Sequence, residues 1–535
     1  MKQLLFIAFI ALMVLPACRP APGGLPTVVP TAAVATTAPS STTAASSTTA
    51  ASSTTAASST TDTTPIPPPT TTPLFDIDPA DRSVFAAGLV GSEAADALPG
   101  APVYHMAFTI DPSMTVINGC QTVTWTNTED VALNEVYFHL HAQTLDGDIA
   151  VSAVTVDGAP AAAVVEGDML RVPLAAPLAP GDVATIDMAF ETTVPTDIGR
   201  NYGVLAYHEG ILALAHFYPM LAVHDEEGWN TVAPDIQGDL TYSDAAFYLV
   251  RVTAPDDIVL VGTGIIVDET AGDGTQTVTF AAGPARDFYL AAGDFTVVRE
   301  TVGETTINSY APPDMAAGAA MALDVAAAAL VNAGERLSPY PYRELDIVTT
   351  PTSALGIEYP GLIVGTLNMY DMDAETAAGV PYEAILESTT AHEVMHQWFY
   401  NLVGNDQLDE PWLDESVVGY STYRYFVDRY GQDAGDAYFE NFLSRWDRVE
   451  RAEVPIGRSV AEYEGAEYSA IVYGRGAVFV RELEEAMGRE AFDAFLRAYV
   501  TRFRWDVATT ADFQAMAEAQ CGCDLGALFD RFIIE

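Results

Sequence analysis

From residue 100 to 300 apolar and polar residues alternate in short runs rich in Val, Thr, Tyr and Phe, and a helical period begins only after Pro313. Alternate residues share a face of a strand, whereas every third or fourth shares a face of a helix, so the chain must divide into two architectures. Runs at 103–111, 122–127, 135–141, 247–253, 258–262, 275–281 and 295–300 predict strands, with turns signalled at Asp111-Pro112 and Asn118-Gly119. No helical pattern separates them, which argues an antiparallel sheet. The alanine-rich stretch 315–337 then predicts one long helix, ended by Pro339 and Pro341. Strands follow at 345–349 and 357–366, and further helices at 382–402, 413–429, 470–487 and 491–503. The expected fold is α+β and multidomain, with an antiparallel β domain over 74–301 and a mostly helical domain over 302–535.

The N-terminus reads as an address. Lys2 precedes an apolar run over 4–15 and then Leu15-Pro16-Ala17-Cys18, the order of a signal peptide ending in a small residue before cysteine. Such a run falls short of the roughly twenty residues that span a bilayer. Leu-Pro-Ala-Cys resembles a bacterial lipobox, which makes 1–17 a signal peptide and Cys18 a lipidated N-terminus and membrane anchor. The alternative is an ordinary signal peptide and release. Ser-Ser-Thr-Thr-Ala-Ala occurs three times over 40–57, and 65–73 is rich in Pro and Thr. With almost nothing to bury, 18–73 is expected to be a tether. No later run reads as long and apolar enough to span a membrane.

Composition narrows the partners. The chain has 73 Asp+Glu against 23 Lys+Arg, a net charge of −50, and Lys2 is its only lysine. That leaves no basic footprint for a phosphate backbone and excludes nucleic acid. A hydrophobic content of 49% excludes an acidic disordered chain. Cys120, Cys521 and Cys523 cannot all pair, and Cys521-Gly522-Cys523 lacks the accompanying ligands of a metal site; buried or incidental thiols are expected, with one disulfide as the alternative. His105, His139, His141, His208, His216 and His224 are scattered without ligand spacing and read as structural, although His139 and His141 would share one face of a strand.

The chemistry lies between 356 and 475. His392-Glu393-Val394-Met395-His396 falls inside a predicted helix, where residues four apart project from one face. Two imidazoles can then reach one ion, and Glu393 is placed to take a proton from the water that the ion activates. Glu415 follows His396 by nineteen residues, just after Pro411, which suits the first turn of a second helix. A His-His-Glu set leaves the fourth position of Zn2+ open, as hydrolysis needs. Asp409, Glu410 and Asp414 read as solvated acids.

HEVMHQW followed at that distance by WLDES resembles the gluzincin metallopeptidases of the aminopeptidase N and leukotriene hydrolase type. His392, His396 and Glu415 match their zinc ligands, one ion per chain. Gly356-Ile357-Glu358-Tyr359 is similar to the family's Gly-x-Met-Glu-Asn strand, which assigns Gly356 and Glu358 to substrate, with Glu358 on the free α-amine. Val472-Tyr473-Gly474-Arg475-Gly476-Ala477 is similar to the Tyr-x-Lys-Gly-Ala helix start, in which the tyrosine, here Tyr473, stabilises the oxyanion. Phe217-Tyr218-Pro219, Gly228-Trp229-Asn230 and 338–342 look like the family's saddle-shaped β domain and its entry into a thermolysin-like catalytic domain. The resemblance covers roughly 100–535, without the large C-terminal helical domain of many members. It implies a membrane-tethered aminopeptidase acting on peptides outside the cytoplasm. The alternatives are an endopeptidase with relaxed amine recognition and a non-catalytic surface lipoprotein with a vestigial metal site.

Overall fold

The structure, a computed structural model, describes residues 74–534 except 92–94, 97, 233–236, 239–240 and 377–378. The expected signal peptide, Cys18 and the tether lie outside the described residues.

The alternating runs form an eight-stranded sheet in the order Ile265–Ala271, Thr275–Ala285, Ala246–Pro255, Val103–Ile110, Val116–Thr126, Val183–Thr193, Asp148–Val156, Ala159–Pro160. Every pairing is antiparallel except that of Val103–Ile110 with Ala246–Pro255. Two four-stranded antiparallel sheets accompany it, and their inward side chains, among them Phe138, Leu170, Leu212 and Leu214, share one buried cluster with Met106, Ile117, Ile186 and Val250 of the large sheet. Asn118-Gly119 is not a turn. Both residues lie within Val116–Thr126, and a Cβ on Gly119 would come within 2.2 Å of the Phe190 ring on the neighbouring strand. The glycine makes room for an aromatic ring rather than reversing the chain. His139 and His141 do not share a strand either: the strand ends at His139 and a short helix starts at His141.

The second half is built on a five-stranded mixed sheet in the order Thr296–Val302, Thr305–Ala311, Glu344–Thr350, Leu362–Thr366, Gly356–Tyr359. Its first strand contains residues 301 and 302, so the change of architecture precedes Thr296 rather than following 301. The stretch 357–366 is a hairpin of two strands, turning at Gly361 with φ +69°, a conformation that glycine adopts without strain. The helix Ala316–Arg336 packs on this sheet through its small-residue face, Ala319, Ala322, Ala326, Ala329 and Ala333. With its preceding turn this segment, Pro313–Arg336, is long and apolar enough by length and composition to cross a membrane, contrary to the sequence reading, yet half of it is buried against the fold. The helix predicted to run to 402 ends at Met395. Helices Gln432–Asp447 and Thr510–Cys521 escape the sequence reading. Cys521 and Cys523 are joined by a disulfide, leaving Cys120 as a free thiol, so the cysteines of the pair are not incidental.

Among the contacts that join the second half to the β domain, one is apolar and one is a buried guanidinium. Ile211, Ala213, Tyr289 and Phe295 pack with Val348, Tyr359, Leu362 and Val364 in one buried cluster, in which the rings of Tyr289 and Tyr359 stack at 4.1 Å. Arg286, 2% exposed, donates from Nε to the Tyr400 carbonyl at 2.6 Å, from Nη1 to Ser243 at 2.9 Å and from Nη2 to Asp506 at 2.7 Å. Its guanidinium occupies the space that a Cβ on Gly404 would need, 2.2 Å away. Arg286→Leu strands three carbonyls and is expected to lower stability by about 3–5 kcal/mol; a fall in the urea midpoint at unchanged slope is the measurement, and an unmoved midpoint contradicts this role.

Candidate metal centre and active site

His392 and His396 leave the last turn of Tyr382–Met395 on the same face, His396 being the C-cap residue. Beyond it the chain turns sharply, and His396 Nδ1 lies 3.1 Å from the Phe399 carbonyl. A ring N–H donated there leaves Nε2 with its lone pair facing the centre. Glu415 sits in the first turn of Trp412–Tyr430, which Pro411 opens. His392 Nε2 is 3.2 Å from His396 Nε2 and 3.2 Å from Glu415 Oε2, and His396 Nε2 is 3.5 Å from the same oxygen. A tetrahedral ion with bonds of about 2.0–2.1 Å spaces its ligand atoms about 3.3–3.4 Å apart. Two imidazoles and a carboxylate presenting lone pairs at that spacing fit Zn2+.

Around this triangle the backbone approaches unusually closely. A Cβ on Gly356 would lie 2.2 Å from Glu393 Oε1, so only glycine lets the strand Gly356–Tyr359 pass over that carboxylate. Glu358, one turn of the pleat further on, is 7% exposed, with Oε1 3.9 Å from His396 Nδ1. Carboxylate oxygens of Glu358 and Glu393 and a ring nitrogen of His396 all lie within 4.8 Å of one another. Gln397, next to the second histidine, registers strand against helix: its Oε1 accepts the Gly361 N–H at 2.8 Å and its Nε2 donates to the Tyr359 carbonyl at 3.0 Å.

Tyr473 is carried by a π-helical turn, Ser469–Arg475, that leads into Gly476–Met487. Such wide turns re-aim a side chain within a helix and occur often at functional sites. Its hydroxyl donates to Glu415 Oε1. The turn is pinned one residue beyond that ligand, where Ser416 Oγ donates to the Val472 carbonyl at 2.7 Å, and a Cβ on Gly476 would be 2.0 Å from the same hydroxyl. Arg475 faces away and binds the Val454, Phe532 and Arg531 carbonyls, anchoring the end of the chain.

The electrostatics follow from burial. Desolvation pushes Glu393 up to about 8, His396 opposing and Glu415 reinforcing the rise. His396 moves upward against its own desolvation because Glu358, Glu415 and Glu393 surround it. For Glu415 burial alone would raise the pKa, but His392 and His396 hold it far below the ordinary carboxylate range. Asp414 corrects the sequence reading. It is buried, accepts from Gln407 Nε2 at 2.8 Å and from the Glu415 N–H at 2.8 Å, and so braces the ligand's backbone. Glu410 is half-buried and accepts the Thr510 N–H at 3.2 Å, whereas Asp409 is the solvated acid expected.

All seven predicted site residues line one cavity of about 360 Å³, which the β domain closes on one side with Leu145, Asn201, His216 and Asp287. The histidines read as scattered are partly gathered behind its His216 wall: His139 and His141 stack at 4.7 Å, and His141 meets His216 at 5.5 Å between ring centres. Asp287, His216 and Tyr400 escape sequence reasoning because no spacing links them; only the tertiary fold brings them to the cavity.

Residues 321–532 match the Peptidase family M1 domain. Over 289 residues the chain is 27% identical to Aminopeptidase M1-B of Oryza sativa subsp. japonica, covering 52% of this chain and 33% of that protein. It is 24% identical to Probable aminopeptidase 2 of Sulfurisphaera tokodaii, covering 52% and 36%. The chain thus spans about a third of the length of the curated relatives it matches. The fold is shared with the M1 zinc metallopeptidase of Deinococcus radiodurans at a TM-score of 0.59 and 20% identity, covering 80% of this chain and 92% of that one. A mutant of that enzyme bound to a Tyr-Ser-Ala substrate matches at 0.57 and 20%, covering 84% and 95%. Over residues 321–532 the chain is thus similar to the peptidase family M1 domain.

Zinc added to chelator-treated protein at about a thousand times its Kd is expected to stabilise the fold by about 4 kcal/mol. A rise in unfolding temperature that His396→Ala abolishes is the readout; an equal rise in the variant would place the ion elsewhere.

Proposed function

We propose that this protein is a zinc-dependent aminopeptidase, exported and held at the outer face of a membrane through Cys18, that removes N-terminal residues from peptides. The observation that carries the proposal is the convergence on one cavity of the ligand triangle with Glu393, Glu358 and Tyr473. A structural zinc site is closed and needs neither a base nor a phenol beside it. The matched aminopeptidases and the neighbour's tripeptide substrate support peptides as the substrate class. Export rests on the Lys2, 4–15 and Leu15-Pro16-Ala17-Cys18 pattern.

Bound by His392, His396 and Glu415, zinc supplies Lewis acidity that polarises the scissile carbonyl and acidifies water. The chain supplies the remainder. Glu358 receives the substrate's α-ammonium, which fixes the first peptide bond over the centre. Glu393, desolvated and pressed against Gly356, takes a proton from the attacking water and delivers it to the leaving amine. Tyr473 turns its hydroxyl from Glu415 to the oxyanion as negative charge develops there.

Glu393→Gln is expected to retain zinc and lose about 10³-fold or more in kcat, measured by metal content and hydrolysis of aminoacyl reporters; a variant as active as wild type removes the mechanism. N-acetylation of a peptide substrate should abolish its cleavage. Unimpaired hydrolysis of the blocked peptide identifies an endopeptidase instead. Gly356→Ala should keep its zinc while kcat falls at least about tenfold, because the added methyl displaces the Glu393 carboxylate.

A further inference from the structure

We propose that Asp287 is the anionic end of a side-chain subsite, on the β-domain wall of the cavity, that selects peptides beginning with a cationic residue, arginine or lysine. This rests on the aminopeptidase reading of the same cavity and names the substrate class within it.

Asp287 is 1% exposed and lines the cavity together with Glu358, His216 and Tyr400. Its Oδ2 accepts the Tyr400 hydroxyl at 2.9 Å, whereas its Oδ1 has no hydrogen-bond partner. His216 Nδ1, 3.9 Å from Oδ2, has none either. Burial pushes His216 down to about 3, so the imidazole is neutral and does not balance the carboxylate. The adjacent guanidinium of Arg286 is occupied elsewhere, each of its three nitrogens donating to a backbone carbonyl. A buried carboxylate with an unused oxygen costs stability unless something claims it. A guanidinium or ammonium entering from the cavity is the group whose donors match it.

The carboxylate is also held in place. Tyr400 adopts φ +113°, where a bulky residue is strained, and the Arg286 bond to its carbonyl sustains that conformation. The phenol engages Oδ2, and Oδ1 is left buried and without a partner in the cavity wall. Desolvation pushes Asp287 up to about 7, with the Tyr400 bond pulling it down, so an arriving cation meets a group that ionises readily in its favour. Glu358 beside His396 and Asp287 beside His216 thus offer two separate anionic positions, one for the α-ammonium and one for a charged side chain.

The test is kcat/KM for arginyl, lysyl and leucyl reporters with wild type and Asp287→Asn. Wild type should prefer arginyl over leucyl by about tenfold or more, and the variant should lose about thirtyfold on arginyl while leucyl changes less than about threefold. Retained leucyl hydrolysis shows that the variant is folded. If wild type prefers leucyl, or if the variant loses equally on all reporters, the subsite is refuted. Should no reporter be hydrolysed, the aminopeptidase reading fails by itself. The subsite is then decided by calorimetry on the Glu393→Gln protein with L-argininamide and L-leucinamide. About tenfold tighter binding of argininamide, lost on adding Asp287→Asn, supports it, and equal binding of the two amides overturns it.

Discussion

Glu358, Glu393 and Glu415 are all buried around His396, and their mutual repulsion is the constraint to which the catalytic half is fitted. Two unit charges 4 Å apart at an effective dielectric of 20 repel by about 4 kcal/mol. The fold offsets this with His396, whose titration is displaced upward accordingly, and with the Tyr473 hydroxyl donated to one oxygen of Glu415. A site with this surplus of negative charge suits positive charge, and the spacing of its ligand atoms fits a divalent ion. The −50 of the whole chain therefore matters less than where a handful of those acids are denied water.

The glycines around the centre express the same economy of space. Gly356 yields to Glu393, Gly476 to Ser416 and Gly404 to Arg286. In each case backbone lies where a methyl group would otherwise be, and a functional or anchoring side chain fills the volume. These positions carry constraints that hydropathy does not register.

The metal ligands and Glu393 were legible because one helix supplies three of the four, so that sequence spacing is spatial spacing. Glu358 and Tyr473 were readable only through family resemblance, since their placement depends on a strand crossing and a π turn that no local pattern encodes. The change from β to helical architecture was visible in the hydrophobic period, although its position slipped by several residues because the first strand of the second sheet looks like the last strand of the first. Asn118-Gly119 misled because a glycine admitting a ring and a glycine making a turn have the same local signature. Asp414 looked solvated because burial of an acid is a tertiary property. Asp287, Tyr400 and His216 come from three segments whose meeting depends on the whole β domain.

Gln397 joins the strand bearing Glu358 to the helix bearing His396 through two hydrogen bonds from one amide. In the proposed reaction, those two elements carry the anchor for the α-amine and the centre at which the bond breaks. A carboxamide wedged between sheet and helix therefore sets how the proposed amine anchor and the metal centre register against one another, independently of the shape of the cavity.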